Sequence, residues 1–289
     1  MSARLREIAR RTEEIVAAGH YRAPDGRTVS LTEDLAAALA GTRLHGPAPV
    51  PVTPDTDRTP TLTVTPESSL AAARRMTTAD TTRPVAVLNF ASARNPGGGY
   101  LNGAQAQEEA LCRSSALHAT LLRAPDYYAH HRAERSERGV PPAGGRGRDA
   151  FYTDRVIHSP RVPVFRDDRG TLLAEPFTVG FLTSPAPNAG VVRRQTPELA
   201  GRLPAVLASR AERVLETAAA AGYRRLVLGA WGCGVFRNDP AEVAGTFKAL
   251  LTGEGRFAGH FEEIVFAVLD RASGTPTLAA FERVLAHPL

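Results

Sequence analysis

Apolar positions along the chain change their period several times, and each change marks an element. In residues 2–18, Leu5, Ile8, Ala9, Thr12, Ile15 and Val16 recur at helical spacing, with Ser2 as cap and Gly19 as stop. A second short helix is expected at 35–39, after the capping-type run Ser30-Leu31-Thr32-Glu33-Asp34. Residues 46–54 hold Pro47, Pro49, Pro51 and Pro54, which fix φ and remove backbone donors, so no regular structure is expected there. From Thr61 onward, short apolar runs alternate with helix-patterned segments. Strands are expected at 61–64, 85–90, 177–182, 226–230 and 264–269, and helices at 68–76, 109–122, 204–221, 240–251 and 276–286, with Pro240 in a first turn. Residues 156–160 and 162–165 lead to a turn at Asp167-Asp168-Arg169-Gly170 with Leu172 and Leu173 on the return, which predicts a hairpin. Strands separated by helices of this length predict a mixed, mostly parallel sheet covered on both faces, an α/β fold. Residues 1–59 read as an N-terminal helical extension with a Pro-rich junction, and residues 60–289 as the main domain.

Composition narrows the class. With 289 residues, 43% of them hydrophobic, the chain can bury a sizeable core, and it has no apolar run of the roughly 18 residues a membrane span needs. The N-terminus lacks the apolar stretch of a secretion signal, so a soluble, cytoplasmic monomer without a membrane partner is expected. The net charge of +5, carried almost wholly by Arg, suits a polyanionic partner. The basic residues are scattered rather than striped, so nucleic acid is not indicated as that partner. Cys112 and Cys233 read as reduced packing residues. The segment 125–151 contains Tyr127-Tyr128, His130-His131 and a loose glycine-rich run at 139–145. Adjacent histidines with no acidic or Cys partner at ligand spacing are poor chelators, so they read as a solvated helix end, not a metal site.

The chemistry concentrates between Asn89 and Glu109. Gly97-Gly98-Gly99 lies between an apolar strand and a helix start, where residues without Cβ permit φ > 0 and let a ligand approach main-chain N–H groups. Neither the Gly-Lys-Ser/Thr ending of a Walker loop nor the dinucleotide spacing is present. A flexible surface loop is the alternative. Glu108 and Glu109 stand at the helix entrance, either as first-turn charges that complement the dipole or as catalytic carboxyls. Neighbouring side chains on a helix diverge by about 100°, which predicts two different roles rather than two equivalent partners facing one atom.

Gly97-Gly98-Gly99, seven residues, then Gln107-Glu108-Glu109 resembles the signature of poly(ADP-ribose) glycohydrolases, with the shorter bacterial type the nearer likeness. Asn89-Phe90-Ala91 and Asn95-Pro96 resemble the first ligand loop of the macrodomain, and Gly229-Ala230-Trp231-Gly232-Cys233-Gly234-Val235-Phe236 resembles its diphosphate loop. The resemblance implies a three-layer α/β/α macrodomain over 60–289 and cleavage of the ribose–ribose O-glycosidic bond of poly(ADP-ribose), with ADP-ribose as product and no metal or redox cofactor. It makes Glu109 the candidate acid, and Glu108 an acceptor from a ribose hydroxyl. Gln107, Asn95 and Asn102 would fix the sugar, and Gly97, Gly98 and Gly99 would approach the distal ribose and adjacent phosphate. Gly232, Cys233, Gly234 and Val235 would offer N–H groups to the diphosphate, with Phe236 stacked near the proximal ribose. Asp270 and Arg271, after the strand at 264–269, would cap the proximal ribose and restrict the enzyme to terminal units; a plain surface turn is the alternative. Two rivals remain at this point, hydrolysis of single ADP-ribosyl groups on proteins and a non-catalytic ADP-ribose-binding macrodomain. The paired glutamates speak against the second.

Overall fold

The structure is a computed structural model and describes residues 2–136 and 150–286; the glycine-rich run expected at 139–145 lies outside the described residues. Helix α1 (Ala3–Ala18) starts where the Ser2 hydroxyl accepts from the Leu5 N–H, and ends at Gly19 with φ 71°. A small hairpin of β1 (His20–Arg22) and β2 (Thr28–Ser30) follows, then α2 (Thr32–Gly41) and β3 (Arg43–His45). Next come β4 (Thr61–Thr65), α3 (Ser69–Ala79) capped by Ser68, and β5 (Val85–Phe90). Beyond the glycine loop lie α4 (Gln107–Ser114), α5 (Leu117–Leu121) and α6 (Pro125–Ser136). The long strands β6 (Val156–Arg166) and β7 (Leu172–Ser184) lead to α7 (Ala189–Gln195), α8 (Leu203–Ala220) and β8 (Arg225–Gly229). Helix α9 (Pro240–Leu251), β9 (Glu263–Ala267) and α10 (Pro276–Ala286) close the chain.

Seven strands form one sheet in the order β3-β6-β7-β5-β8-β9-β4. The pairs β7–β5, β5–β8, β8–β9 and β9–β4 are parallel, whereas β3–β6 and β6–β7 are antiparallel. Side chains alternate across the strands. Val85 and Val87 of β5 join a core with residues of α1 and α3–α6, while Ala86 and Leu88 join a second core with residues of α8, α9 and α10. This is the expected α/β/α sandwich with a mostly parallel sheet.

Four expectations change. The helix foreseen at 109–122 breaks at Ser115, because the Ala116 N–H donates to the Pro163 carbonyl and Ser115 bridges Val164, so tertiary pairing overrides helix continuity. The strand foreseen at 177–182 is the far half of the hairpin's own return arm. His131 is not a solvated helix end: it is 2% exposed, its ring nitrogens lie 2.8 Å from the Tyr127 carbonyl and 2.8 Å from Thr153 Oγ1, and burial pushes its pKa down to about 4. The N-terminal segment is not peripheral either, since β3 is an edge strand of the main sheet. Helix α1 lies on α4, where the Thr12 hydroxyl donates to the Arg113 carbonyl (2.8 Å).

Both cysteines are free thiols. Among the described residues, no group of three or more His, Cys, Asp or Glu is placed to hold a metal ion, and no helix is long and apolar enough to cross a membrane.

Candidate active site

Parallel strands deliver their following loops to one edge of a sheet, the usual ligand edge of an open α/β fold. The loops after β5, β7 and β8 are fastened together there. Ser184, the last residue of β7, accepts through its carbonyl from the Ala91 N–H (3.2 Å) and from Trp231 Nε1 (3.0 Å). Asn238 donates to the Pro187 carbonyl (2.8 Å), and the Gly190 N–H donates to that of Phe236 (2.9 Å).

The glycine loop folds over the first turn of α4. Gly97 and Gly98 take φ values of 68° and 59°, the left-handed region where a Cβ is strained. A Cβ on Gly98 would sit 2.5 Å from Glu109 Oε1 and 3.1 Å from Glu108 Oε2, so both carboxyls reach the same point. The two acids thus converge on one loop residue while holding different partners. Their Cα positions do splay, but three rotatable torsions let each long side chain bend back beneath the loop. Glu109 Oε1 accepts from the Gly99 N–H (2.8 Å), and Glu109 Oε2 is buried with no partner among the described residues. Glu108 Oε2 accepts from the Ser92 N–H (2.7 Å) and its Oε1 from Asn89 Nδ2 (3.3 Å). The parallel register that pairs Asn89 with Thr183 gives that amide its second acceptor, Thr183 Oγ1 at 3.1 Å.

Several residues expected on the substrate have hydrogen-bond partners within the protein. Gln107 accepts from the Phe90 N–H and donates to the Leu88 carbonyl and Ser69 Oγ, which uses both its amide protons. Asn89 is fully buried with both protons engaged, and the Ala91 N–H is bound to β7. The N–H groups of Gly98 and Gly99 hold the Asn95 carbonyl and Glu109 rather than pointing at a phosphate. Asp270 accepts from the N–H groups of Ala272, Thr277 and Leu278, so its carboxylate shapes its own loop and the start of α10. Asn95, Asn102 and Arg271 remain exposed, and Phe90 is half-buried beside Gly229.

At 232–236 the second loop has four open main-chain N–H groups and one that is closed. The Cys233 N–H closes a turn onto the Ala230 carbonyl (3.1 Å). The N–H groups of Gly232, Gly234, Val235 and Phe236 donate to no acceptor among the described residues. Gly232, at φ 71°, leaves no room for a Cβ against Ala186 and Asn238. Phe236 extends toward Tyr152 (ring centroids 5.9 Å), and the Arg94 guanidinium lies 5.9 Å from the Tyr152 ring, an aromatic and cationic wall that the motifs did not announce. An open cleft of about 590 Å³ lies elsewhere, between α3 and the β6–β7 turn. No residue of the expected ligand loops lines it, and the candidate site is the place where carboxyls and open N–H groups converge.

Burial pushes the Glu108 carboxyl up to about 8, against the Ser92 and Asn89 hydrogen bonds that favour its charge, and the neighbouring Glu109 adds to the rise. The folded chain thus holds this proton more tightly than the unfolded chain, where the carboxyl titrates near 4.5. On this account the unliganded protein loses stability as pH rises from about 4.5 to about 8. Glu108→Gln removes that loss, so its melting temperature relative to wild type is expected to climb between the two ends of this window. A gap that stays constant in thermal melts across the window refutes the raised pKa.

Ser92, Thr183, Tyr152 and Arg94 escaped the sequence reading because they carry no spacing of their own and act through a backbone N–H, a strand register or a ring contact. The family described as Microbial-type PARG, catalytic domain, matches residues 9–167, a span that includes both glutamates. The chain is 50% identical to poly(ADP-ribose) glycohydrolase from Thermomonospora curvata, seen bound to the inhibitor ADP-HPD, over 98% of this chain and 99% of that one, with a TM-score of 0.86. It is 46% identical to poly(ADP-ribose) glycohydrolase (PARG) from Deinococcus radiodurans in complex with ADP-ribose, over 87% of this chain and 96% of that one, with a TM-score of 0.76. No curated protein is significantly similar to it in sequence.

Proposed function

Because the chain belongs to the microbial-type poly(ADP-ribose) glycohydrolases, we propose that Glu109 is the residue that moves the proton in the hydrolysis that family performs. The protein is a glycosidase that cuts the ribose–ribose O-glycosidic bond of poly(ADP-ribose). That bond breaks through an oxocarbenium-like state and needs a proton on the departing oxygen. One observation carries the assignment: Glu109 Oε2 is the single carboxyl oxygen of the pair with no protein partner among the described residues, while the Gly99 N–H fixes the other oxygen. Glu109 gives its proton to the departing ribose oxygen, and its carboxylate then takes one from the attacking water. Glu108, fixed by Ser92 and Asn89, holds a hydroxyl of the same ribose. The unused N–H groups of Gly232, Gly234, Val235 and Phe236 receive the diphosphate. The second reading, Glu108 as acid, draws on its raised pKa, but both its oxygens are already committed to the protein.

The loop after β9 favours cleavage from the chain terminus. Asp270 braces it from within, and β9 runs parallel to β8, so the loop leaves the same sheet edge as the ligand loops, where it would meet a continuing polymer. A time course on automodified long polymer tests activity and direction together. Free ADP-ribose from the first samples, without early short chains, is the expected result. Abundant oligomers in those samples overturn terminal cleavage, and no ADP-ribose at all overturns the activity.

A further inference from the structure

Helix α1 reaches the glycine loop from below, through a carboxylate that no motif contains. Glu13 Oε1 lies 3.0 Å from the Tyr100 hydroxyl, and both Glu13 oxygens lie 3.2 Å from His118 Nδ1. The Tyr100 and His118 rings pack together with centroids 5.1 Å apart. Those rings, with the Cys112 thiol, are the floor of the loop: a Cβ on Gly97 would lie 3.2 Å from His118 Cδ2, 3.2 Å from Cys112 Sγ and 3.4 Å from Tyr100 Cβ. Tyr100 also donates its N–H to the Gly97 carbonyl (3.0 Å), so the ring that Glu13 holds is bonded to the loop backbone. Two residues back along the chain from that ring, in turn, the loop reaches Gly98, on which both glutamates converge, and the next N–H, that of Gly99, holds Glu109.

The same helix grips the far end of the loop. The Ser2 N–H donates to the Gly103 carbonyl (3.3 Å), and Gly103, at φ 77°, is closed against Ser2 and Arg6, where a Cβ would meet the Ser2 carbonyl oxygen at 2.5 Å. Glu13 is well adapted to stay charged there. Burial works against its charge, but the His118 and Tyr100 hydrogen bonds outweigh it and keep the carboxyl below its ordinary range. A charged acceptor makes roughly twice as strong a hydrogen bond as a neutral one.

We propose that Glu13 is a positioning residue for catalysis: by clamping Tyr100 and His118 it fixes the floor on which Gly97–Gly99 place Glu109. The inference deepens the assignment of Glu109 as the acid and rests on it. Glu13 acts on the carboxyl end of the site and touches none of the N–H groups at 232–236, so its loss should separate turnover from binding.

Glu13→Ala, Glu13→Gln, Tyr100→Phe and Glu109→Gln in the full chain form the test, each with thermal melting, steady-state kinetics on polymer and calorimetry with ADP-ribose. A misplacement of about 1 Å can cost on the order of 10²-fold in rate, so Glu13→Ala is expected to lower kcat by roughly 10- to 100-fold. KM and ADP-ribose affinity should move less than about threefold by the same separation. Glu13→Gln, which keeps an acceptor for both partners, should recover most of the turnover. Should Glu13→Ala fail to fold, Tyr100→Phe, which removes only the hydroxyl, carries the question and should lower kcat with unchanged ADP-ribose affinity. A folded Glu13→Ala with wild-type kcat overturns the proposal, as does a proportional loss of turnover and affinity. Failure of the acid assignment is separate, because it shows as an active Glu109→Gln.

Discussion

Glu109→Gln should bind ADP-ribose with near wild-type affinity and turn over polymer 10²- to 10⁴-fold more slowly, the usual range for a missing general acid–base group. The amide is nearly isosteric with the carboxyl, and its oxygen still accepts from the Gly99 N–H, so the loop keeps its shape. What disappears is the titratable oxygen at the position of Oε2, which has no protein partner among the described residues. Calorimetry and single-turnover release of ADP-ribose measure the two halves of this outcome. If Glu109→Gln stays fully active while Glu108→Gln is dead, the acid is Glu108, and the raised pKa of that carboxyl becomes the catalytic feature.

Gly98→Ala, a change of one methyl group, should be nearly as damaging. The added carbon would occupy space 2.5 Å from Glu109 Oε1 and 3.1 Å from Glu108 Oε2, and the residue would be held at φ 59°. The left-handed conformation costs an alanine roughly 1–2 kcal/mol, and the displaced carboxyls lose alignment worth on the order of 10²-fold in rate. We expect turnover lower by about that factor and a melting temperature lower by several degrees, with ADP-ribose affinity held by the loop after β8. A Gly98→Ala enzyme with wild-type turnover means that neither glutamate is constrained by this glycine. Gly222→Ala is the matched control, because it shares the left-handed conformation (φ 79°) while nothing lies within 4 Å of a Cβ there.

Legibility in the sequence followed the range of the forces involved. Helix ends that depend on neighbours within a few residues were readable: Ser2 and Gly19 bound α1, and Pro240 opens α9. The central parallel strands β5, β8 and β9 were readable because residues such as Val85–Leu88 are buried on both faces and hydrophobic without interruption. The break at Ser115 was not, since it depends on a bridge to Val164 across the hairpin. At the site, the glycines and glutamates stood out as a pattern, but the pattern does not say which groups point inward. Gln107, Asn89 and Asp270 looked like ligand contacts because polar residues in a ligand loop are normally read that way. Each has hydrogen-bond partners within the protein: backbone groups, the Ser69 and Thr183 hydroxyls, or the Glu108 carboxyl. Glu13 had no local reason to be noticed at all.

The reach of α1 also has a consequence for the order in which the molecule is assembled. Glu13 lies 87 residues from Tyr100 and 105 from His118, and Thr12 lies 154 from Arg166, the guanidinium of which donates to its hydroxyl. During synthesis the first helix leaves the ribosome long before any of these partners exists. It waits as an isolated amphipathic segment, a length at which helices in water are marginal. Closing such long loops costs entropy before any contact rewards it, so non-local clasps form late. The floor of the catalytic loop therefore shares its late closure with the sheet, whose pairing of Thr61 with Glu263 spans a longer loop still, and the acid is aligned only once the first helix has come back to meet it.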